Sequence, residues 1–218
     1  MESNRHITST LSDDIRNRQK DLIGDFSGNN AVIVGLGGIG SWVALDLALV
    51  GVGTIILYDD DVIEASNLNR TLFKLSHIGQ KKVKAVKELI SERRKDTIVI
   101  TNQELFTADK LKKLEGIDYL FDCSDRTILK NSIAQLKNKP RYIKLGYDGF
   151  EGTLCIDDFS SGVWGEDNSY TITPSFFAPP QILSALAVTE MLLVKKQTPR
   201  TVNLNVKKII SQLSNLNQ

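Results

Sequence analysis

The sequence predicts an α/β fold: a doubly wound, mainly parallel sheet finishing with antiparallel strands. Three observations carry this. Short apolar runs rich in β-branched residues alternate with helix-like segments through roughly residue 140. A glycine cluster, "VGLGGIGS", joins the first apolar run to the first of these helices. Two strand-like stretches, "RYIKLGYDG" and "EGTLCIDD", then follow one another closely and read as a pair.

The elements follow in order. "LSDDIRNRQKDLIGDF" starts a helix with Ser12 as its cap. "AVIVG" is a buried strand, and "SWVALDLALVG" a helix ended by Gly51 or Gly53. "TIILYDD" is a second buried strand. "GQKKVKAVKELISERR" is amphipathic, with Val83, Val86, Leu89 and Ile90 on one face. "TIVITNQ" reads as a strand, "DKLKKLEG" as a short helix and "IDYLFDCSD" as a strand with polar residues at its end. "RTILKNSIAQLKNK" is a helix stopped near Pro140. A glycine-rich, acidic loop runs from Asp157 to Asn168, and "PPQILSALAVTEMLLVKK" is a late helix with prolines in its first turn.

Bulk properties narrow the class. The 218 residues suit one domain over 1–218, with an N-terminal helical arm over 1–29. A composition of 41% hydrophobic and 24% charged residues is ordinary for a soluble globular chain. A net charge of +1 offers no global basic face for nucleic acid or a membrane. The polar start predicts no signal peptide, and no apolar stretch reaches the length of a membrane span. Cys123 and Cys155 stand far apart and outside any C-x-x-C, which argues against a disulfide framework and a zinc site and for a reducing cytoplasm. Both cysteines sit in strand patterns and read as core, as does Trp42 on the first helix. His77 reads as a surface or capping residue, and His6 lies in a polar end. Trp164, Tyr170, Phe176 and Phe177 flank the long loop, either shaping a partner groove or packing the loop down.

In open sheets of this kind ligands sit at the carboxyl ends of the strands. Gly35, Gly37 and Gly40 satisfy G-x-G-x-x-G, with Gly38 as a fourth glycine, between a strand and a helix. Backbone N–H groups there can approach phosphate, and a helix N-terminus favours negative charge. Asp59 stands where a ribose-binding carboxylate is expected, at the end of the second strand. The loop alone does not separate NAD or FAD from ATP. The residues after it favour ATP. Asp61 adds a second carboxylate, Asn67, Arg70 and Lys82 suit a triphosphate, and Asp125 at a later strand tip suits Mg²⁺.

In this order, the glycine loop, D-x-D (Asp59, Asp61), S-N-L-x-R (Ser66 to Arg70), G-Q-x-K (Gly79 to Lys82) and D-C-x-D (Asp122 to Asp125), together with "RNRQ" and "GFEGTL", resemble the adenylyltransferase superfamily of ThiF, MoeB, HesA and the ubiquitin-activating enzymes. The resemblance covers roughly Ser12 to Lys196. It implies a Rossmann-like fold, ATP and Mg²⁺, and activation of a C-terminal carboxylate as an acyl-adenylate with release of pyrophosphate. It implies a small ubiquitin-like or sulfur-carrier protein, or a ribosomal peptide, as partner. It also implies a homodimer.

By position, Gly35, Gly37, Gly38 and Gly40 match the nucleotide loop and Asp59 the ribose ligand, with Asp61 beside it. Asn67, Arg70 and Lys82 match the phosphate-holding residues, and Asp125 the aspartate that binds Mg²⁺ and orients the substrate. Arg18 matches an arginine finger that reaches into the neighbouring subunit's site. The departures are Arg16 where the family often has Tyr, Thr71 where it usually has Gln, the missing C-x-x-C pairs, and a loop from Ser160 to Thr173 without a transfer cysteine. Two other readings stand beside this one. One is an adenylating enzyme like the tRNA-threonylcarbamoyladenosine dehydratases. The other is a non-catalytic partner subunit of an activating heterodimer.

Overall fold

The computed structural model of the chain describes residues 15–125, 132–159, 174–194 and 198–215. The expected Ser12 cap, His6, Trp164, Tyr170 and the loop 160–173 lie outside the described residues, as does the first part of the helix expected after Asp125.

Seven strands form one sheet, β1 (Asn30–Val34), β2 (Thr54–Tyr58), β3 (Ile98–Asn102), β4 (Tyr119–Asp122), β5 (Arg141–Asp148), β6 (Glu151–Ile156) and β7 (Arg200–Asn205). Their spatial order is β3-β2-β1-β4-β5-β6-β7. The first five are parallel, and β6 and β7 close the sheet antiparallel. Around the sheet lie α1 (Gly38–Val50), α2 (Lys82–Ser91), α3 (Ala108–Lys113), α4 (Ala178–Leu193) and α5 (Val206–Asn215). The chain winds outward from β1 to β3, then returns to lay β4 on the other side of β1. That reversal opens a crevice at the carboxyl ends of β1 and β4.

The strand sequences explain their depth. In β1, Ala31 and Ile33 belong to one apolar core, while Val32 and Val34 belong to the other. A strand covered on both faces needs apolar residues at every position, and "AVIV" supplies them. The larger core packs β1 and β2 against α1, α2 and α4. The smaller one holds Tyr58, Phe106, Leu111, Leu120 and Tyr142 on the opposite face.

Helix α1 is apolar almost all round because it lies between the sheet and α4. Ser184 of α4 donates 2.6 Å to Asp46 of α1, and burial raises the Asp46 carboxyl above its ordinary range. Gly51 ends α1 in the left-handed conformation, as the sequence predicted. Its start differs from the expectation. The helix begins at Gly38, inside the glycine cluster, three residues before Ser41. On α2 the four expected apolar residues are buried.

The last strand and helix, β7 and α5, were not predicted. Only Leu204 of β7 is buried, so the strand lacks the apolar run that marks its neighbours. The arm is also shorter in helix than expected. Among the described residues it is a few turns over 15–23, with Lys20 N–H bonded to the Arg16 carbonyl and Ile23 N–H to that of Gln19. Arg16 pins it down through ion pairs to Asp25 (3.3 Å) and Asp96 (3.4 Å). Asp96 is in turn held by buried Arg94 at 2.7 Å. His77 is buried, not on the surface. It does cap a turn, its Nδ1 accepting the Lys74 N–H at 3.2 Å.

Candidate functional site

The four glycines at the end of β1 answer to four separate constraints. Gly35 has φ +82°, a conformation that disfavours side chains, and a methyl there would lie 3.0 Å from the Cys123 carbonyl oxygen. A methyl at Gly40 would lie 1.8 Å from the Gly35 carbonyl oxygen, so the backbone turns back on itself there. One at Gly38 would meet the Tyr147 phenol oxygen at 2.5 Å. Among the described residues, Gly37 alone of the four has nothing within 4 Å. It is the N-cap of α1 and has no side chain with which to cap the helix. The N-terminus of α1, with the unpaired amides of a first helical turn, thus starts beside open space at Gly37.

Asp59 locks this loop from β2. Its Oδ2 accepts the Leu36 N–H at 2.6 Å and its Oδ1 the Asp61 N–H at 2.9 Å. Burial raises its carboxyl above the ordinary range, against the pull of Lys82 and these two amides. Lys82 opens α2 with its side chain buried, 2.7 Å from Asp61 and 4.0 Å from Asp59. The bridge of Val62 with Lys81 and the Ile63–Gln80 hydrogen bond bring the two segments together. The carboxylates of Asp59, Asp60 and Asp61 approach within 4.8 Å of one another. Two of them already balance Lys82.

Asn67 ends the short 3-10 turn Ala65–Asn67, and Arg70 lies on the turn that continues from it. Asn67 Oδ1 accepts the Glu64 N–H at 3.1 Å, which fixes the turn. Arg70 donates to the Ser66 carbonyl at 2.6 Å and to Asn69 Oδ1 at 2.9 Å, while Trp42 of α1 donates to the Arg70 carbonyl at 3.0 Å. The indole thus ties the turn to the helix that starts beside Gly37. Thr71, a departure from the family pattern, bonds the Asn67 carbonyl at 2.9 Å and closes the same turn.

At the end of β4, Asp122 is fully buried. Lys144 (3.2 Å), the Tyr142 hydroxyl (2.9 Å) and Ser124, through its amide (3.1 Å) and hydroxyl (2.7 Å), all donate to it. Lys144 also donates to the Ser124 carbonyl. This network fixes the Cys123–Asp125 turn, which leaves Asp125 exposed at the crevice edge. Burial, then the charge of Asp122, pushes the Cys123 thiol up, so it stays protonated and packs. Cys155 is buried in β6, its sulfur 3.4 Å from the Thr201 hydroxyl.

The structure thus gathers Gly35, Gly37, Gly38, Gly40, Asp59, Asp61, Lys82, Asn67, Arg70 and Asp125 on segments that border the carboxyl end of the parallel sheet. It does not bring Arg18 there. Arg16, two residues before it, packs beside Gly51 at the opposite end of α1, about 20 Å from Gly37 at 1.5 Å per residue. Sequence reasoning missed Lys144 and Tyr147. A lysine inside the apolar run "YIKLG" was a usable signal, since a charge in a buried strand demands a partner.

The architecture is that of a Rossmann-like α/β domain with its crevice at the strand reversal. The sequence model of the ThiF family matches residues 15–163, and the chain belongs to that family. It is 32% identical over 157 residues to the sulfur carrier protein ThiS adenylyltransferase of Escherichia coli K12, covering 70% of this chain and 61% of the relative. It is 33% identical over 114 residues to the tRNA threonylcarbamoyladenosine dehydratase of Bacillus subtilis 168, covering 51% and 45%. The crystal structure of E. coli MccB with ATP superposes with a TM-score of 0.66 at 21% identity, over 83% of this chain and 65% of that one. The chain therefore spans roughly half of the curated relatives' length.

Proposed function

We propose that this chain is an ATP-dependent adenylyltransferase. It activates the C-terminal carboxylate of a small ubiquitin-like or sulfur-carrier protein, or of a ribosomal peptide. The observation that carries this is a cradle at Gly37. An α-helix N-terminus that its own N-cap residue cannot cap starts beside open space there, and Arg70 and Lys82 stand on the segments around it. That is a site for a polyanion.

In the reaction a carboxylate oxygen attacks the α-phosphorus. The bond from that phosphorus to the bridging oxygen breaks, and pyrophosphate leaves. The α1 amides, Arg70 and Lys82 hold the phosphates and offset the charge that develops. Asn67 fixes the turn that carries Arg70. Asp59 takes the ribose hydroxyls with the lone pairs that its two amide bonds leave. Asp125, exposed at the turn fixed by Asp122, would hold Mg²⁺, whose charge would offset that of the phosphates.

Arg18 acts in a homodimer, on the other subunit's site, because its own arm is anchored at the far end of α1. A cytoplasmic location agrees with two thiols outside any disulfide and with the fact that, among the described residues, no helix is long and apolar enough to cross a membrane.

The test is ATP–pyrophosphate exchange with candidate partners, followed by intact-mass detection of a partner adenylate. Exchange that needs the partner's free C-terminus supports the reading. No exchange and no ATP binding overturns it. The relationship to the B. subtilis dehydratase favours a second reading, in which the activated carboxylate belongs to modified tRNA. AMP release that depends on tRNA and not on a protein partner would select it.

A further inference from the structure

We infer that Tyr142 is a positioning residue for Asp125, coupling the turn that carries this aspartate to the segment 157–159 that leaves β6. This rests on the nucleotide reading above. Tyr142 sits near the start of β5, paired with Leu120 of β4, two residues before Asp122. Its ring runs along the sheet face, and its hydroxyl donates to Asp122 Oδ2 at 2.9 Å. The other carboxylate oxygen, Oδ1, accepts from Lys144 and from both donors of Ser124. Bonds to both oxygens fix the plane of a carboxylate that is fully buried. Ser124 directly precedes Asp125, and Asp122 holds its amide and hydroxyl while Lys144 holds its carbonyl.

Tyr142 also reaches the other way. Its backbone N–H donates to Asp157 Oδ1 at 2.8 Å, and the Asp157 N–H donates to the Tyr142 carbonyl at 2.8 Å. Asp157 has a left-handed φ of +49°, which a non-glycine residue keeps only where its surroundings hold it. Phe159 stacks on the Tyr142 ring, with centroids 5.6 Å apart and planes at 14°. Between them, Asp158 accepts from the Thr201 hydroxyl at 2.7 Å. One side chain therefore touches the exit of β6 with its ring and the anchor of the Asp125 turn with its oxygen. Burial, then the charge of Asp122, raises the phenol above its ordinary range, so it keeps the proton that it donates. Without the hydroxyl, Oδ2 loses this donor in a buried site, and the carboxylate is freer to turn away from Ser124.

The test compares ATP affinity in Mg²⁺ and in EDTA, measured by calorimetry. Asp125 presents an exposed carboxylate, a hard oxygen donor suited to that ion. Tyr142→Phe keeps the ring and removes the hydroxyl. It should weaken ATP·Mg²⁺ binding about fivefold, part of the energy of one hydrogen bond to a charged group, and leave binding of metal-free ATP as in the wild type. A role confined to stability would not separate the two conditions. In an Asp125→Ala background the same change should have no effect, because nothing remains to be positioned. Phe159→Leu leaves every bond to Asp122 in place and removes the stacked ring. It should give a smaller loss of the same kind, and should add nothing when combined with Tyr142→Phe. It keeps the test decisive if Tyr142→Phe melts early.

Equal losses with and without Mg²⁺, a loss that persists in the Asp125→Ala chain, or full ATP·Mg²⁺ affinity in either single variant overturns the inference alone. Wild-type binding that does not depend on Mg²⁺ removes the metal from Asp125, and the inference falls with it. A wild-type chain that binds no ATP overturns the nucleotide reading itself.

Discussion

Lys144→Met is the most informative stability experiment. Lys144 lies 3.2 Å from Asp122, with the first 5% and the second 0% exposed. At an effective dielectric of about 20, two unit charges at that distance attract by about 5 kcal/mol. Removing the ammonium forfeits this attraction and leaves a buried carboxylate. Tyr142 and Ser124 still donate to that carboxylate, and one buried cation no longer needs desolvation. The net cost should therefore fall near the lower end for a broken buried pair, about 3 kcal/mol.

For a chain of this size that is a drop in melting temperature of roughly 6–12 °C. Urea denaturation followed by circular dichroism gives the free energy directly. The double variant Lys144→Met, Asp122→Asn buries neither charge and should recover about 1–2 kcal/mol of the loss. A Lys144→Met chain melting within 2 °C of wild type would refute the view that this pair supports the β4 end.

Three further outcomes follow from the same geometry. Asp125→Ala, at an exposed position, should leave the melting temperature almost unchanged but reduce partner-dependent pyrophosphate exchange at least about 100-fold; intact exchange removes Asp125 from the site. Gly37→Ala should fold normally and bind ATP at least about tenfold more weakly, since its methyl enters open space, whereas Gly40→Ala should cost more than about 3 kcal/mol, its methyl striking backbone; denaturation and calorimetry on both variants would expose the reverse pattern. Asp46→Asn should stabilise the chain at pH 7, because burial raises the Asp46 carboxyl in the folded state and its charged form is disfavoured there. That gain should shrink as pH falls through the raised value toward the ordinary 3.8, where both states carry the proton; urea titrations at pH 7 and pH 4 that give equal gains would count against it.

What could be read in the sequence was what local chemistry dictates. Strands buried on both faces announce themselves, so β1, β2 and β4 were legible, and so was the glycine turn between β1 and α1. The antiparallel pair β5 and β6 was legible from its closeness along the chain. By contrast, β7 is strand only because β6 offers it an edge, which is a non-local fact. Helix α1 starts earlier than its composition suggests because sheet and α4 surround it and make glycines acceptable in its first turn. Within the candidate site, Asp59, Asn67, Arg70, Lys82 and Asp125 carry their signal in the order and spacing of charged and amide residues. Tyr147 carries none, since nothing near it in sequence reveals that its ring crosses to Gly38. The capping role of His77 was legible but its burial was not, since its ring lies edge-on to Phe73, a contact that the local sequence does not reveal.

The glycine cluster has a consequence for how relatives of this chain are read. Of its four glycines, three are demanded by the protein's fit to itself: Gly35 by its backbone angle, Gly40 by a neighbouring carbonyl and Gly38 by Tyr147. Among the described residues, only Gly37 of the four faces space that the fold does not use. A descendant that had abandoned its nucleotide would keep the first three in order to fold, and would be free to lose the fourth. The fingerprint as a whole therefore records ancestry, while the residue at position 37 records whether the cradle is still in service.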